Sequence, residues 1–219
     1  MKIWRDIKKI KITNPVVTIG IFDGVHGGHR FLLDELRQIA ADKDGESVVI
    51  TLWPHPRIVL NKQPEKLRYL NSIEEKEELL RRAGVDHFVI IPFTKEFSRM
   101  GSCEFVEKIL VKKINIKHLL IGFNHKFGRD REGDYQSLKN CAEQHGFGIS
   151  QVSPKEMDGE RISSSVIREL LNDGKIEKAN EYLGYNYFLQ GRVVGGSQLG
   201  RRIGFPTANI KPHDEHKLI

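Results

Sequence analysis

The residues with the clearest chemical potential follow a short β-branched run. Val16–Ile21 leads into Phe22-Asp23-Gly24-Val25-His26-Gly27-Gly28-His29. Asp23-Gly24 supplies a turn, and Gly27 and Gly28 let the backbone approach a ligand closely. His29 is expected in the first turn of a helix, where free N–H groups and the positive dipole end favour an anion. Two imidazoles at i and i+3 can both donate to phosphate oxygens, and a bound phosphate raises the ordinary histidine pKa of about 6.5. The same pair is half of a metal site, although no third ligand follows at conventional zinc spacing. A plain turn carrying two surface histidines fits these residues equally well.

Three further clusters follow strand-like runs. In Thr51-Leu52-Trp53-Pro54-His55-Pro56 two prolines predict a stiff, extended loop around His55. Beside Trp53 it suits a flat ring, or it is a structural turn. Between Gly122 and Gly133, Asn124 can both accept and donate, and Lys126, Arg129 and Arg131 can face phosphates or plain solvent. In Arg161–Arg168, Ser164 and Ser165 either cap a helix or help its amides hold phosphate. Arg168 lies one turn further on the same face, where it can add a charge-assisted contact to a bound anion.

The elements that must carry these residues alternate in type. Strand-like runs at Val16–Ile21, Ser47–Leu52, His87–Ile91, Lys117–Ile121 and Gly148–Val152 are separated by helical spacing. Leu32, Leu36, Ile39 and Ala40 share one face, and Ser72 with Glu75 forms a capping box ahead of Leu79 and Leu80, with Gly84 as the stop. Phe105, Ile109 and Leu110 mark another helix, as do Leu138 and Cys141–Ala142. This alternation predicts an α/β fold, a parallel sheet covered by helices on both faces, with ligands beyond the carboxyl ends of the strands. Helices at Ser164–Leu171 and Ile176–Leu183 close the pattern. From Gly184 onward, aromatic and β-branched residues and then Gly195, Gly196, Gly200 and Gly204 predict an all-β element. A boundary is placed there, giving domains 1–183 and 184–219. The second falls below the roughly 40 residues that support a core alone, so it must dock on the first, stay loose or begin something longer.

Composition narrows the function classes. The 219 residues carry 35 Lys+Arg against 29 Asp+Glu, a net charge of +6, with 39% hydrophobic and 29% charged residues, which is globular composition. No apolar run approaches the roughly 20 residues of a spanning helix, and the opening MKIWRDIKKIKI has no signal-peptide core. Neither membrane nor nucleic acid is expected as a partner, because Lys8, Lys9 and Lys11 are not accompanied by an RNA-binding aromatic signature or zinc-finger spacing. Phosphate-bearing small molecules account better for the charge. Cys103 and Cys141 have no metal-type spacing, so no disulfide and a reducing cytoplasm are expected.

Taken together, the motifs resemble the bacterial bifunctional riboflavin kinase/FMN adenylyltransferase family, the prokaryotic FAD synthases. Gly20–His29 is similar to the family's opening, a version of the HxGH motif of the wider nucleotidyltransferases. Trp53–Pro56, Gly122–Gly128 and Ile162–Arg168 match its later motifs in order, and Gly191–Asn209 resembles the start of a riboflavin kinase module. The resemblance implies a Rossmann-like nucleotidyltransferase domain followed by the first part of an all-β kinase barrel. It implies adenylyl transfer from ATP to FMN, giving FAD and pyrophosphate, with Mg2+ accompanying ATP. His26, His29, Asn124 and Arg168 would be the catalytic residues. Gly20, Phe22, Asp23, Gly28, Ser164 and Ser165 would bind ATP and its phosphates, and Pro54, His55 and Pro56 would be on the flavin side. No metal ligand is assigned in the first domain. In the kinase segment, Thr207 and Asn209 of the PTAN motif would hold magnesium and nucleotide phosphates. Phosphorylation of riboflavin is expected only of a longer parent, because the sequence reaches Ile219 with the kinase barrel barely begun. Another HxGH enzyme, acting on nicotinamide mononucleotide or pantetheine phosphate, and a non-catalytic phospholigand module are the alternatives.

Overall fold

A computed structural model describes residues 1–60, 68–123, 127–129, 133–153, 156–157 and 160–219. The first strand, β1 (Lys2–Trp4), pairs in parallel with a later strand and lies at the sheet edge. No strand was expected there, because charge interrupts the apolar residues; edge strands tolerate that. Then come β2 (Val16–Ile19), α1 (Gly27–Asp42), β3 (Ser47–Trp53), α2 (Pro56–Val59), α3 (Ile73–Arg82) and β4 (His87–Pro92). The short α4 (Ser102–Phe105) continues as a π-helix over Val106–Ile114, followed by β5 (His118–Gly122), α5 (Tyr135–His145) and β6 (Gly148–Val152).

These strands form one parallel sheet in the order β1-β4-β3-β2-β5-β6, the Rossmann-like α/β architecture expected. All four residues of β2 are buried, as a central parallel strand covered on both faces requires. Leu33, Leu36 and Ala40 of α1 and Leu79 and Leu80 of α3 cover one face of the sheet. Phe105, the π-helix residues Val106, Ile109 and Leu110, and Leu138 of α5 cover the other. The helix α3 starts where the capping box predicts. The Ser72 side chain accepts from the Glu75 amide, and the Glu75 carboxylate accepts from the Ser72 amide. From β2 the chain winds outward through β3 and β4, then crosses back to β5 on the other side of β2. The strand order therefore reverses between β2 and β5, and the crevice beyond their carboxyl ends is where such sheets bind ligands.

After the sheet come a small hairpin, β7 (Glu156–Met157) and β8 (Glu160–Arg161), and the helices α6 (Ser164–Asn172) and α7 (Ile176–Leu183). These helices pack with Leu70, Ile162 and Leu218 in a third apolar cluster. Gly184 ends α7 at φ +74°, in the left-handed region that favours glycine. Beyond it, β9 (Gly191–Val194) and β10 (Asn209–Pro212) pair antiparallel around α8 (Leu199–Arg202). Residues 214–218 then return to the body, where Lys217 bridges to Tyr69 in parallel. Among the described residues no helix is long and apolar enough to cross a membrane.

One expectation is overturned. Cys103 and Cys141 are joined as a disulfide, with their Cα atoms 6.1 Å apart, inside the range such a bond spans. The two lie 38 residues apart, and the packing of α4 against α5 brings them together, which spacing alone does not show.

Candidate active site

The histidine turn leaves β2 in strained backbone. Phe22 and Val25 have φ of +51° and +36°, left-handed values that cost non-glycine residues on the order of 1–3 kcal/mol each. Both side chains are buried, and a Cβ at Gly20 would meet the Phe22 ring at 2.9 Å. Gly20 is thus explained by the space Phe22 needs. His26 is the N-cap of α1; its Nδ1 accepts from the His29 amide at 3.4 Å. Its ring lies 3.7 Å from the His29 ring, nearly parallel to it. A Cβ at Gly28 would meet the His26 ring at 3.2 Å, so glycine there lets the imidazole fold back over the helix start. His29 is in the first turn, as expected.

Burial holds both imidazoles neutral. The His26 pKa is pushed down to about 4 by desolvation. That of His29 is driven well below the ordinary histidine range by desolvation first, then by His26 and Lys76. His29 Nδ1 is buried and has no hydrogen-bond partner among the described residues. The same is true of Arg168 Nε. Orphaned buried nitrogens of this kind are what a bound anion would satisfy, and His29 lies in the first turn of α1, where free amides favour one.

Asp23 braces the turn more than it lines a pocket. Its carboxylate accepts from the amides of Leu70 at 2.8 Å and Asn71 at 3.3 Å, and Arg168 lies 3.9 Å away. Desolvation raises its pKa, opposed by Lys76, Arg168 and the two amides. Ser164 donates to the Asp23 carbonyl at 2.8 Å, so its hydroxyl ties α6 to the turn. The cap of α6 is Ser163, and Ser165 is exposed. Arg168 follows Ser164 by one helical turn, as the spacing predicts, and its guanidinium lies beside the Asp23 carboxylate, a contact the spacing did not indicate.

Lys76 was not anticipated. It is 1% exposed, donates to the Ile21 carbonyl at 2.6 Å, and lies 5.5 Å from the Trp53 ring centre. Desolvation lowers its pKa to about 8, opposed by Asp23. The available signal was its place on the apolar stripe of α3, three residues after Ile73 and four before Leu80.

The Pro54–Pro56 segment departs from the extended loop expected. His55 is the N-cap of α2, its Nδ1 accepting from the Arg57 amide at 3.0 Å, and Pro56 occupies the first helical turn. Proline suits that position because its missing N–H would be unpaired anyway. His55 stacks on Tyr69 at 5.7 Å, and Trp53 lies 5.4 Å from Tyr69. Desolvation first, then Lys76, Arg57 and Arg168, lower the His55 pKa to about 4. The segment therefore shares the field of the histidine turn.

Asn124, with His125, Lys126 and Arg131, lies outside the described residues. The base of its loop is visible: Phe127 bridges to Gly133, and Arg129 donates its amide to Met100. Cβ atoms at Gly128 or Gly133 would run into Ser102 at 2.7 Å, so both glycines allow the loop to seat on α4. Thr207 and Asn209 are exposed and remote in sequence from this site; Gly200 and Gly196 lie against their side chains. Among the described residues no three His, Cys, Asp or Glu side chains converge as a metal site.

Comparison with known proteins agrees with this layout. The family model described as FAD synthetase matches residues 8–166, and that described as riboflavin kinase matches residues 183–219. A protein of Listeria monocytogenes named bifunctional riboflavin kinase/FMN adenylyltransferase is 36% identical over 98% of this chain and 66% of its own length. An Escherichia coli K12 protein of the same name is 37% identical over 89% of this chain and 62% of its own. A third, from Buchnera aphidicola of Schizaphis graminum, is 36% identical over 96% and 68%. The chain thus spans 62–68% of the length of these three relatives. A solved Streptococcus pneumoniae structure, named as a macrolide-efflux protein, superposes with a TM-score of 0.83 at 31% identity, over 97% of this chain and 69% of that one.

Proposed function

The chain belongs to the FAD synthetase family, and from that premise we propose that it transfers the adenylyl group of ATP to FMN. An FMN phosphate oxygen attacks the α-phosphorus of ATP as the bond to the β-phosphate oxygen breaks, giving FAD and pyrophosphate. Positioning two polyanions and offsetting their charge would supply most of the catalysis. The observation that carries this reading is the pair of orphaned buried nitrogens, His29 Nδ1 on the first turn of α1 and Arg168 Nε on α6, whose guanidinium lies 3.9 Å from the Asp23 carboxylate of the same turn.

His26 and His29 donate to the ATP phosphates, with His29 stabilising the leaving pyrophosphate. Each neutral imidazole has one N–H to donate, and a nearby triphosphate favours a second proton on it. Arg168 holds the triphosphate, with the α6 N-terminus at Ser164 and Ser165 beside it. Asn124 orients the reacting phosphates. Gly20, Phe22, Asp23 and Gly28 shape the nucleotide side of the turn. Pro54, His55 and Pro56, with Trp53 and Tyr69, form the flavin side, since stacked rings suit a flat heterocycle. Mg2+ comes with ATP and is held largely by its phosphates and water.

We take residues 1–183 as this adenylyltransferase domain and 184–219 as the opening of a riboflavin kinase module, with Thr207 and Asn209 on its nucleotide phosphates. A cytoplasmic enzyme is the compartment we infer from its substrates. Incubation with ATP, Mg2+ and FMN should give FAD and pyrophosphate in equal amounts. Adenylylation of nicotinamide mononucleotide or pantetheine phosphate but not FMN would overturn the acceptor, and ATP binding without any turnover would overturn the enzyme reading.

A further inference from the structure

The returning segment after β10 reaches the candidate site through buried polar groups. Lys217 is 2% exposed; its Nζ donates to the Leu70 carbonyl at 2.5 Å and lies 2.9 Å from Glu75 Oε2. It also lies 4.1 Å from the Tyr187 ring centre. Glu75, fully buried, accepts in addition from the Gln190 amide at 2.8 Å and from the Ser72 amide. The residues between are clamped from both sides. The Leu70 carbonyl is held by Lys217, and the Leu70 amide holds the Asp23 carboxylate. Tyr69 exchanges backbone bonds with His216 and Leu218. A second strut runs from Tyr185, whose hydroxyl donates to the Gly24 carbonyl at 2.7 Å.

We propose that Lys217 is a positioning residue for adenylyl transfer, acting through the Leu70 peptide on Asp23, so that the segment beyond Gly184 completes the geometry of the histidine turn. The proposal rests on the adenylyltransferase reading. A buried ion pair adds little net stability when both partners are exchanged together, but removing one leaves a buried charge uncompensated. Glu75 without Lys217 would draw water or rearrange, and the Leu70–Asn71 amides that hold Asp23 would move with it. Asp23 sits three residues before His26, in backbone that is already strained, so a small displacement there reaches the reacting groups.

The test uses the full chain with Lys217→Met, Lys217→Arg and Leu218→Ala. Leu218 lies in the same docked segment, its side chain packed in the apolar cluster of Leu70, Leu170 and Leu183. Lys217→Met should lower kcat for FAD formation about tenfold, with KM for ATP and FMN within about threefold, because misplacement acts on the transition state. Lys217→Arg should recover most of that loss. Leu218→Ala should lower the unfolding midpoint yet keep kcat within about twofold of wild type. The His26 and His29 imidazole resonances should move in Lys217→Met and not in Leu218→Ala, a readout that needs no turnover. Should Lys217→Met not fold, Tyr185→Phe removes one strut and should slow FAD formation about threefold. Absence of FAD from the wild-type chain overturns the adenylyltransferase reading, while the resonances still judge Lys217. Unmoved histidine resonances, an unchanged kcat in Lys217→Met or, where that does not fold, in Tyr185→Phe, or equal slowing by Leu218→Ala would overturn the proposal.

Discussion

Two glycine-rich segments carry phosphate-type motifs in this chain, and they are built in opposite ways. The turn from Gly20 to His29 is sealed: Phe22, Asp23, Val25 and His26 are buried, and α3, α6 and Tyr185 after α7 all reach it. The ribbon from Val193 to Ile210 stands in solvent, with Phe205 76% exposed and Val193, Leu199 and Ile203 each above 60%. Glycines serve close approach in both. In the turn they admit the Phe22 and His26 rings; in the ribbon Gly196 and Gly200 admit Asn209 and Phe205. Long-range burial separates the two, and in the turn it converts ordinary histidines and a lysine into groups with displaced pKa values.

Substitutions should separate the two regions. The largest effect is expected at Lys76, where Lys76→Met leaves the Asp23 carboxylate buried with one fewer cation. It should cost about 3–5 kcal/mol in urea unfolding, whereas Val193→Thr on the ribbon should stay within about 0.5 kcal/mol.

Acid should also act on the turn. The His26 pKa is about 4 in the folded chain against an ordinary 6.5. Between those values the unfolded chain binds a proton that the folded chain does not. The contribution is therefore absent as a penalty above pH 6.5 and grows as pH falls toward 4, reaching about 3 kcal/mol. Asp23, whose pKa is raised, works in the opposite sense. His26→Asn keeps a capping acceptor and removes the titration, so unfolding curves at pH 7 and pH 4.5 should lie closer together in the variant than in wild type.

The smallest of these effects concerns activity. Arg168→Met should reduce kcat/KM for FAD formation about 100-fold, while Thr207→Ala on the ribbon should leave it within about twofold. Steady-state rates with ATP and FMN check both.

Much of this was legible in the chain itself. The central strands declare themselves because a parallel strand buried on both faces must be continuously apolar, and α3 because Ser72 and Glu75 form a complete capping box. The placement of His29 and Arg168 followed from helix spacing. Other features depend on contacts between distant residues. Lys217 and Leu70 are 147 positions apart, and Cys103 and Cys141 meet only once α4 and α5 pack. The edge strand β1 was hidden by its charges, and the helical turn after His55 by two prolines that read equally well as extended chain. Lys76 had a signal, a charged residue on an apolar stripe, whose meaning depends on the carboxylate that Asp23 brings beside it.

The central claim is that the buried histidine turn performs adenylyl transfer. The most direct measurement follows FAD formed from ATP, Mg2+ and FMN by the wild-type chain and by His29→Ala with its fold verified. A roughly 100- to 1,000-fold loss in the variant is predicted, the scale of removing one donor to developing charge. FAD formation by His29→Ala at the wild-type rate would contradict it.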